Sequence, residues 1–211
     1  MIKTISLGLT MVLVVSACSS NRPSKLNMMA APEIYHDDRF APFDDNDTEA
    51  IERPVKLFYA TDRSPADPME EWPYYLNERG HLLRLGQATI AMSGGDYDWE
   101  QVKEISLQRN RPSKYHLQIT EIDDFGVMDK GLNRLDKNLL NFQKDIQPRL
   151  EYTQAINRRL AESPVKDIYI YTHGYRVNFD YPLLVSSELW HFLGYQGAFI
   201  ASVYSRRGPL S

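Results

Sequence analysis

The sequence predicts an α/β fold, an open and mostly parallel sheet flanked by helices. Residues 167–172 and 197–204 are short runs rich in β-branched and aromatic side chains, and both read as strands. Residues 179–193, which lie between them, have a helical pattern that places Tyr181, Val185, Leu189 and Phe192 on one face. Strands that are apolar on both faces and alternate with a helix are typical of parallel strands covered by helices.

Three earlier strands and a helical region complete the predicted sheet. Residues 55–61 are β-branched and aromatic, 82–92 alternate around a glycine, and 115–122 alternate apolar with polar. Apolar residues then recur at helical spacing on both sides of Pro148: Leu132, Leu135, Leu139 and Phe142 before it, and Leu150, Ile156 and Leu160 after it. One helix, or two in tandem, should therefore lead back to the sheet.

Length and composition predict one folded domain, at most two. The chain has 211 residues, of which 43% are hydrophobic, enough for a core of ordinary size. Lys and Arg number 24 against 28 Asp and Glu, and no basic block could neutralise a run of phosphates. We therefore expect no nucleic-acid partner.

The first 17 residues have the features of an export signal. Lys3 precedes an apolar run over 5–15, which is too short for a comfortable bilayer span. The single cysteine of the chain, Cys18, follows small residues at 16–17, and this segment resembles the lipobox of bacterial lipoproteins. The resemblance implies that Cys18 is acylated and anchors the protein to a membrane, and Ser19 implies the outer membrane. The alternative is an ordinary cleaved signal with a coincidental cysteine.

Residues 18–52 are predicted to be an acidic flexible tether, and 53–211 the folded domain. Three prolines interrupt the polar segment, which ends in the acidic residues Asp44, Asp45, Asp47, Glu49 and Glu52. A calcium loop that began at Asp44 would need Gly at its sixth position and Glu at its twelfth, but these are Glu49 and Val55. The cluster is therefore interpreted as a solvated linker.

His173 and Gly174 directly follow a predicted strand, which is where ligands bind in open α/β sheets. A glycine there lets a ligand approach the backbone, and the N–H groups of the following turn can face a developing negative charge. The alternative is that Gly174 only permits a tight strand-to-helix turn.

Two segments resemble the α/β-hydrolases. Residues 168–179 (IYIYTHGYRVNF) are similar to the His-Gly segment after the third hydrolase strand, and 59–63 (YATDR) to the opening strand of an uncharacterised bacterial branch. Residues 202–208 keep the serines and glycine of that branch's Trp-Pro-Ser-like segment, but they lack Trp-Pro. The resemblance implies that the backbone N–H of Tyr175 is one donor of an oxyanion hole, with His173 bracing the loop.

The catalytic triad is missing. In that fold Ser, an acid and His all follow the third strand, and Ser lies in G-x-S-x-G, which occurs nowhere in this chain. The nearest match, 91–95 around Ser93, precedes the His-Gly segment and is interpreted as a turn. The sequence therefore resembles a hydrolase domain that is incomplete at its C-terminus, with no catalytic residue in this chain.

Other chemistry is sparse in the sequence. The five histidines show no metal-binding spacing, and no phosphate-binding glycine motif occurs, so we expect neither a metal nor a cofactor. Arg206 and Arg207 follow the last strand and could hold an anionic group of a substrate, or they could be a solvated pair.

Two function classes remain open. The first is the amino-terminal part of a serine hydrolase, an esterase-like or lipase-like envelope lipoprotein that acts on a small ester-like substrate. The second is a non-enzymatic envelope lipoprotein that uses half of a hydrolase fold as an interaction module. The hydrolase strand order would place residues 168–171 between the fourth and fifth strands, so one edge of this strand should lack a partner here.

Overall fold

The computed structural model describes residues 24–36, 43, 54–67, 72–128 and 146–205. Within these ranges the chain forms one six-stranded sheet, three α-helices and a short 3-10 helix. In chain order they are β1 (Leu26–Asn27), the 3-10 helix (Glu33–His36), β2 (Val55–Pro65), β3 (Tyr75–Ser93), α1 (Trp99–Leu107), β4 (His116–Val127), α2 (Gln147–Glu162), β5 (Ile168–Thr172), α3 (Asp180–Phe192) and β6 (Ala198–Val203).

The sheet is mixed, so the α/β class is confirmed but the prediction of a mostly parallel sheet is wrong. The strand order is β1-β4-β3-β2-β6-β5, and three of the five neighbouring pairs in the described chain are antiparallel. Only β2–β6 and β6–β5 are parallel. β3 runs antiparallel beside β2, and β4 runs antiparallel beside β3. Antiparallel pairing of this kind needs no crossover helix.

Helices cover both faces of the sheet. Along β2, Leu57 and Tyr59 belong to the core cluster on the side of α3, whereas Phe58 belongs to the cluster on the side of α2. This alternation follows from the two-residue period of a strand. On the α2 side, the rings of Tyr152 and Phe58 are 5.6 Å apart in an edge-to-face arrangement. Pro148 lies in the first turn of α2, which begins at Gln147, so it does not interrupt this helix.

The buried face of α3 differs from the predicted one. Tyr181 and Leu189 are 43% and 37% exposed, whereas Leu183 and Leu184 are fully buried. Phe192 is buried as predicted. Because α3 is apolar almost all round, its sequence pattern does not define one face. The predicted helical pattern over 132–142 lies outside the described residues.

The strand β5 is at the edge of the sheet. Among the described strands it pairs only with β6, in parallel register from Ile168↔Ala198 to Thr172↔Ser202. Ile168 and Ile170 are 49% and 66% exposed. This agrees with the expectation that one edge of this strand lacks a partner.

Residues 24–36, which belong to the segment predicted as a tether, pack against the folded body. Leu26 and Asn27 pair with β4, and Met28 is buried in the core. Arg111 donates hydrogen bonds to the carbonyl oxygens of Met28 and Met29, at 2.7 and 2.5 Å. This segment therefore forms part of the fold and reaches α3, which positions it beside the candidate site.

Candidate functional site

The candidate site is built on residues 173–178, called here the His-Gly loop, which join β5 to α3. The loop leaves the carboxyl end of β5, beside the carboxyl ends of β6 and β2, because Thr172 pairs with Ser202 and Thr61 with Val203. It borders a cavity of about 760 Å³. The cavity is also lined by Ser24, Lys25, Arg63, Asn77, Tyr181 and Tyr204. The sequence predicted that His173, Gly174 and Tyr175 lie at the carboxyl end of a strand. The three residues lie together on this cavity.

His173 ties the loop to the end of β6. Its side chain is buried and stacks on the ring of Tyr204, with centroids 4.0 Å apart. The Tyr204 hydroxyl donates to the carbonyl oxygen of His173 at 2.5 Å. The Nδ1 and Nε2 atoms of His173 lie 2.6 Å from the carbonyl oxygen of Gly174 and 3.1 Å from that of Tyr204. Both ring nitrogens face backbone acceptors, so His173 fits a bracing role and not that of a general base.

Gly174 lies in open space beside the cavity. A Cβ atom built at Gly174 would meet no other atom within 4 Å, and its φ lies outside the left-handed region. The left-handed residue of the loop is Arg176, with φ 64°. Neither packing nor turn geometry therefore requires glycine at this position, which disfavours the tight-turn alternative. The absent side chain leaves room for a ligand to approach the backbone.

Tyr175 directs its side chain away from the core. The residue is 70% exposed, and the guanidinium of Arg176 lies 5.6 Å from the centroid of its ring. Its phenol contributes little to the buried packing of the loop.

Arg63 binds the His-Gly loop through buried hydrogen bonds. The sequence analysis did not identify it as a site residue. It is only 2% exposed, and one terminal nitrogen donates to the carbonyl oxygens of Val177 at 2.8 Å and Tyr204 at 3.1 Å. The other terminal nitrogen donates to Oδ1 of Asn77. Burial lowers the pKa of Arg63, and the charges of Asp62 and Asp180 oppose this shift. A buried cation thus fixes the loop to β6.

Thr61 and Asp62, the two residues before Arg63, form hydrogen bonds with the carboxyl end of β6 and the residues after it. Oγ1 of Thr61 donates to the carbonyl oxygen of Val203 at 2.6 Å. The carboxylate of Asp62 accepts from the backbone N–H of Ser205 at 2.5 Å and pairs with Arg79 at 3.1 Å. The 59–63 segment, quoted from the sequence only for its resemblance, therefore organises the ends of β2 and β6. The sequence signal that could have identified Arg63 is a charged Asp-Arg pair at the end of an apolar strand.

The N-terminal segment lines one side of the cavity, where hydrogen bonds hold it to Asn178 and Asp180 at the start of α3. The buried carboxylate of Asp180 accepts from the N–H of Ser24 at 3.0 Å, and Nδ2 of Asn178 donates to the Ser24 hydroxyl at 2.5 Å. Burial raises the pKa of Asp180 to about 6, although the hydrogen bonds from Ser24 and the charge of Arg63 oppose the shift. These partners are more than 150 residues apart in sequence, so no local pattern could reveal them.

Ser93 lies far from this site. It ends β3, nine residues after Arg84, which pairs with Thr61 near the His-Gly loop. Nine residues of strand span about 30 Å, so Ser93 is at the opposite end of the sheet. Gly94 follows it with φ 109°, in agreement with the predicted turn. The other predicted functional residues, Cys18, Arg206 and Arg207, lie outside the described residues.

In the described ranges, no group of three or more His, Cys, Asp or Glu side chains could hold a metal ion. No helix in that part of the chain is long and apolar enough to cross a membrane. Comparisons of the chain with protein-family models, curated proteins and solved structures found nothing similar. The geometry of the His-Gly loop is therefore the feature that bears on function.

Proposed function

We propose that the chain is the amino-terminal part of a membrane-anchored serine hydrolase of the esterase or lipase class. In this proposal the His-Gly loop supplies one donor of the oxyanion hole, and acylated Cys18 anchors the protein in a bacterial cell envelope, at the outer membrane. The observation that carries the proposal is the position of the loop. It lies at the carboxyl ends of β5 and β6, beside a cavity, with an unobstructed glycine next to Tyr175.

The chemistry needs an N–H donor that is already in place. Attack on an ester carbonyl produces an oxyanion, which fixed backbone N–H groups stabilise without reorganising. The bonds from Arg63 to Val177 and Tyr204, with the stacking of His173 on Tyr204, support such rigidity. The cavity of about 760 Å³ is within the usual range for small ligands. A small ester-like substrate is therefore the proposed ligand.

The nucleophile must come from outside these 211 residues. No G-x-S-x-G segment occurs in the sequence, and Ser93 lies at the other end of the sheet. The hydrolase proposal therefore requires that the nucleophile, acid and His come from sequence beyond Ser211 or from another chain. Translation of the coding DNA beyond Ser211 in all three frames would reveal a G-x-S-x-G segment if one follows.

The hydrolase proposal predicts opposite outcomes for two changes of Tyr175. In the form that carries the nucleophile segment, Tyr175→Pro should reduce kcat for a short acyl ester by about 10²-fold, near 3 kcal/mol, because it removes the donor. Tyr175→Phe keeps the N–H and should leave kcat nearly unchanged. Matching thermal unfolding curves for the two variants would show that the difference is local. Equal losses in both would assign the role to the phenol and contradict the proposal.

The anchor is tested separately. Cys18→Ser should abolish incorporation of labelled fatty acid and move the protein from the membrane fraction to the soluble fraction, because it removes the acylated thiol. The matched control is Ser19→Ala, which should keep both the label and the membrane fraction. Unchanged labelling of the Cys18→Ser protein would defeat the anchor proposal and leave the hydrolase proposal standing.

The second candidate function is a non-enzymatic envelope lipoprotein that binds a partner through the outer edge of β5. It is favoured by the exposed edge of β5, where Ile168 and Ile170 are 49% and 66% exposed. An edge of this kind can accept a strand from a partner chain. The two candidates separate in one assay: only the hydrolase candidate predicts ester hydrolysis that depends on the N–H of Tyr175.

A further inference from the structure

A second cavity, of about 480 Å³, lies at the opposite end of the sheet from the His-Gly loop. Its walls come from the sheet, α1, α3 and the N-terminal segment. The apolar part of the lining includes Met28, Val55, Ile90, Met92, Val102 and Leu117. Its size and apolar character fit a small, mostly apolar molecule. It shares no lining residue with the site described above.

Glu188 lines this cavity and is 1% exposed. Its Oε1 atom accepts from the backbone N–H of Met29, whereas Oε2 has no hydrogen-bond partner among the described residues. Burial raises the pKa of Glu188 to about 7, and the Met29 N–H and the charge of Arg111 oppose the shift. A buried carboxylate oxygen without a donor is costly, because it has lost its water without replacement.

The hydrogen bond between Glu188 and the N-terminal segment uses only Oε1, so it does not explain why a second, unpartnered oxygen is buried. One acceptor is enough to bind the Met29 N–H, and a glutamine would supply it without a buried charge. Arg111, the cation that acts on Glu188, donates instead to backbone carbonyl oxygens. These are the carbonyls of Met28, Met29, Ile105 and Ser106. Oε2 is thus an unused acceptor on a residue that lines a mostly apolar cavity.

We propose that this cavity binds a small apolar molecule with one hydroxyl group, such as a medium-chain alcohol, whose hydroxyl donates to Oε2 of Glu188. A hydroxyl can both donate and accept, so it matches the carboxyl group whether ionised or protonated. The alkyl chain would lie against the apolar lining, where its burial favours binding. This site is independent of the proposed hydrolase function and uses only described residues.

Two ligands of equal length but different polar groups test the site on the chain as it exists. Isothermal titration of residues 18–211 at about pH 8.5, where Glu188 is ionised and accepts only, should show 1-octanol binding at least about tenfold tighter than 2-octanone. The ketone has no donor for Oε2. Glu188→Gln should abolish the preference, because its amide oxygen keeps the Met29 N–H and its NH₂ group can donate to the oxygen of either ligand. Glu162→Gln, at the exposed C-terminal end of α2, is the matched control and should retain the wild-type preference.

The wild-type comparison decides the proposal even if the Glu188→Gln variant does not fold. Equal affinities for the alcohol and the ketone would show that the cavity selects only apolar bulk, and they would overturn the assignment of Glu188. Absence of binding for both ligands in the folded wild-type chain would overturn the site itself. A preference for the alcohol that persists in the Glu188→Gln variant would place the acceptor elsewhere and contradict the proposal.

Discussion

Replacement of Arg63 by alanine is expected to lower the free energy of unfolding by about 3–5 kcal/mol and to release the His-Gly loop from β6. Arg63 is buried and donates to the carbonyl oxygens of Val177 and Tyr204 and to the side chain of Asn77. The substitution leaves these acceptors without their donor and creates a cavity beneath the loop. Urea unfolding gives the loss, and hydrogen exchange of the amides over 173–178 reports the release of the loop.

Arg79 provides the matched control for Arg63. It pairs with Asp62, the residue before Arg63, at 3.1 Å, but the side chain of Arg79 is 51% exposed. Because half of the Arg79 side chain is exposed, water can replace much of its interaction with the buried Asp62 carboxylate, so Arg79→Ala should cost about 1 kcal/mol and leave exchange in the loop unchanged. If Arg63→Ala were as mild as Arg79→Ala, the buried guanidinium would not be what holds the loop.

Residues 18–211 expressed alone are expected to associate through the free edge of β5, and Ile170→Lys should weaken this association at least about tenfold. Among the described strands β5 pairs on one side only, and its two isoleucines, Ile168 and Ile170, are exposed. A lysine at Ile170, which is 66% exposed, places like charges along the joined edges, but it should change stability by less than about 0.5 kcal/mol. Sedimentation velocity over a range of concentrations measures the effect.

A substitution at Ile34 is the control for Ile170→Lys. It is 53% exposed but lies in the 3-10 helix Glu33–His36, away from the β5 edge. Ile34→Lys makes the same chemical change and should leave the association unaltered. A wild-type chain that is monomeric and melts cooperatively would contradict the interpretation of the chain as half of a hydrolase domain.

Local patterns were enough to predict five of the six described strands and the position of the loop. The alternation in 82–92 and 115–122 identified β3 and β4, and the strand-helix-strand order at 167–204 identified the parallel pair β5–β6. Two parallel neighbours have their carboxyl ends at the same edge, so the location of His173 and Gly174 followed. These features depend on residues that are close in sequence.

Long-range pairing could not be predicted in the same way. The direction of β2, β3 and β4 depends on how the chain returns between them, which the alternation of each strand does not specify. The acceptors of Arg63 at Val177 and Tyr204 are 114 and 141 residues away in sequence. The prolines and polar residues of the N-terminal segment indicated a tether, yet Met28 is buried against the sheet. Tertiary contacts override local composition at each of these places.

The backbone amide of Tyr175 tests the oxyanion proposal most directly, because its resonance responds to an anion that it binds. A ¹⁵N-labelled chain carrying Ile170→Lys, to limit association, can be titrated with methylphosphonate as a small oxyanion. We expect the Tyr175 amide to shift downfield and saturate in about the millimolar range, since only one of the two donors is present. The amide of Gly95, at the far end of the sheet, should not move. A Tyr175 amide that stays in place, or moves no more than that of Gly95, would contradict the proposal that this loop binds an oxyanion.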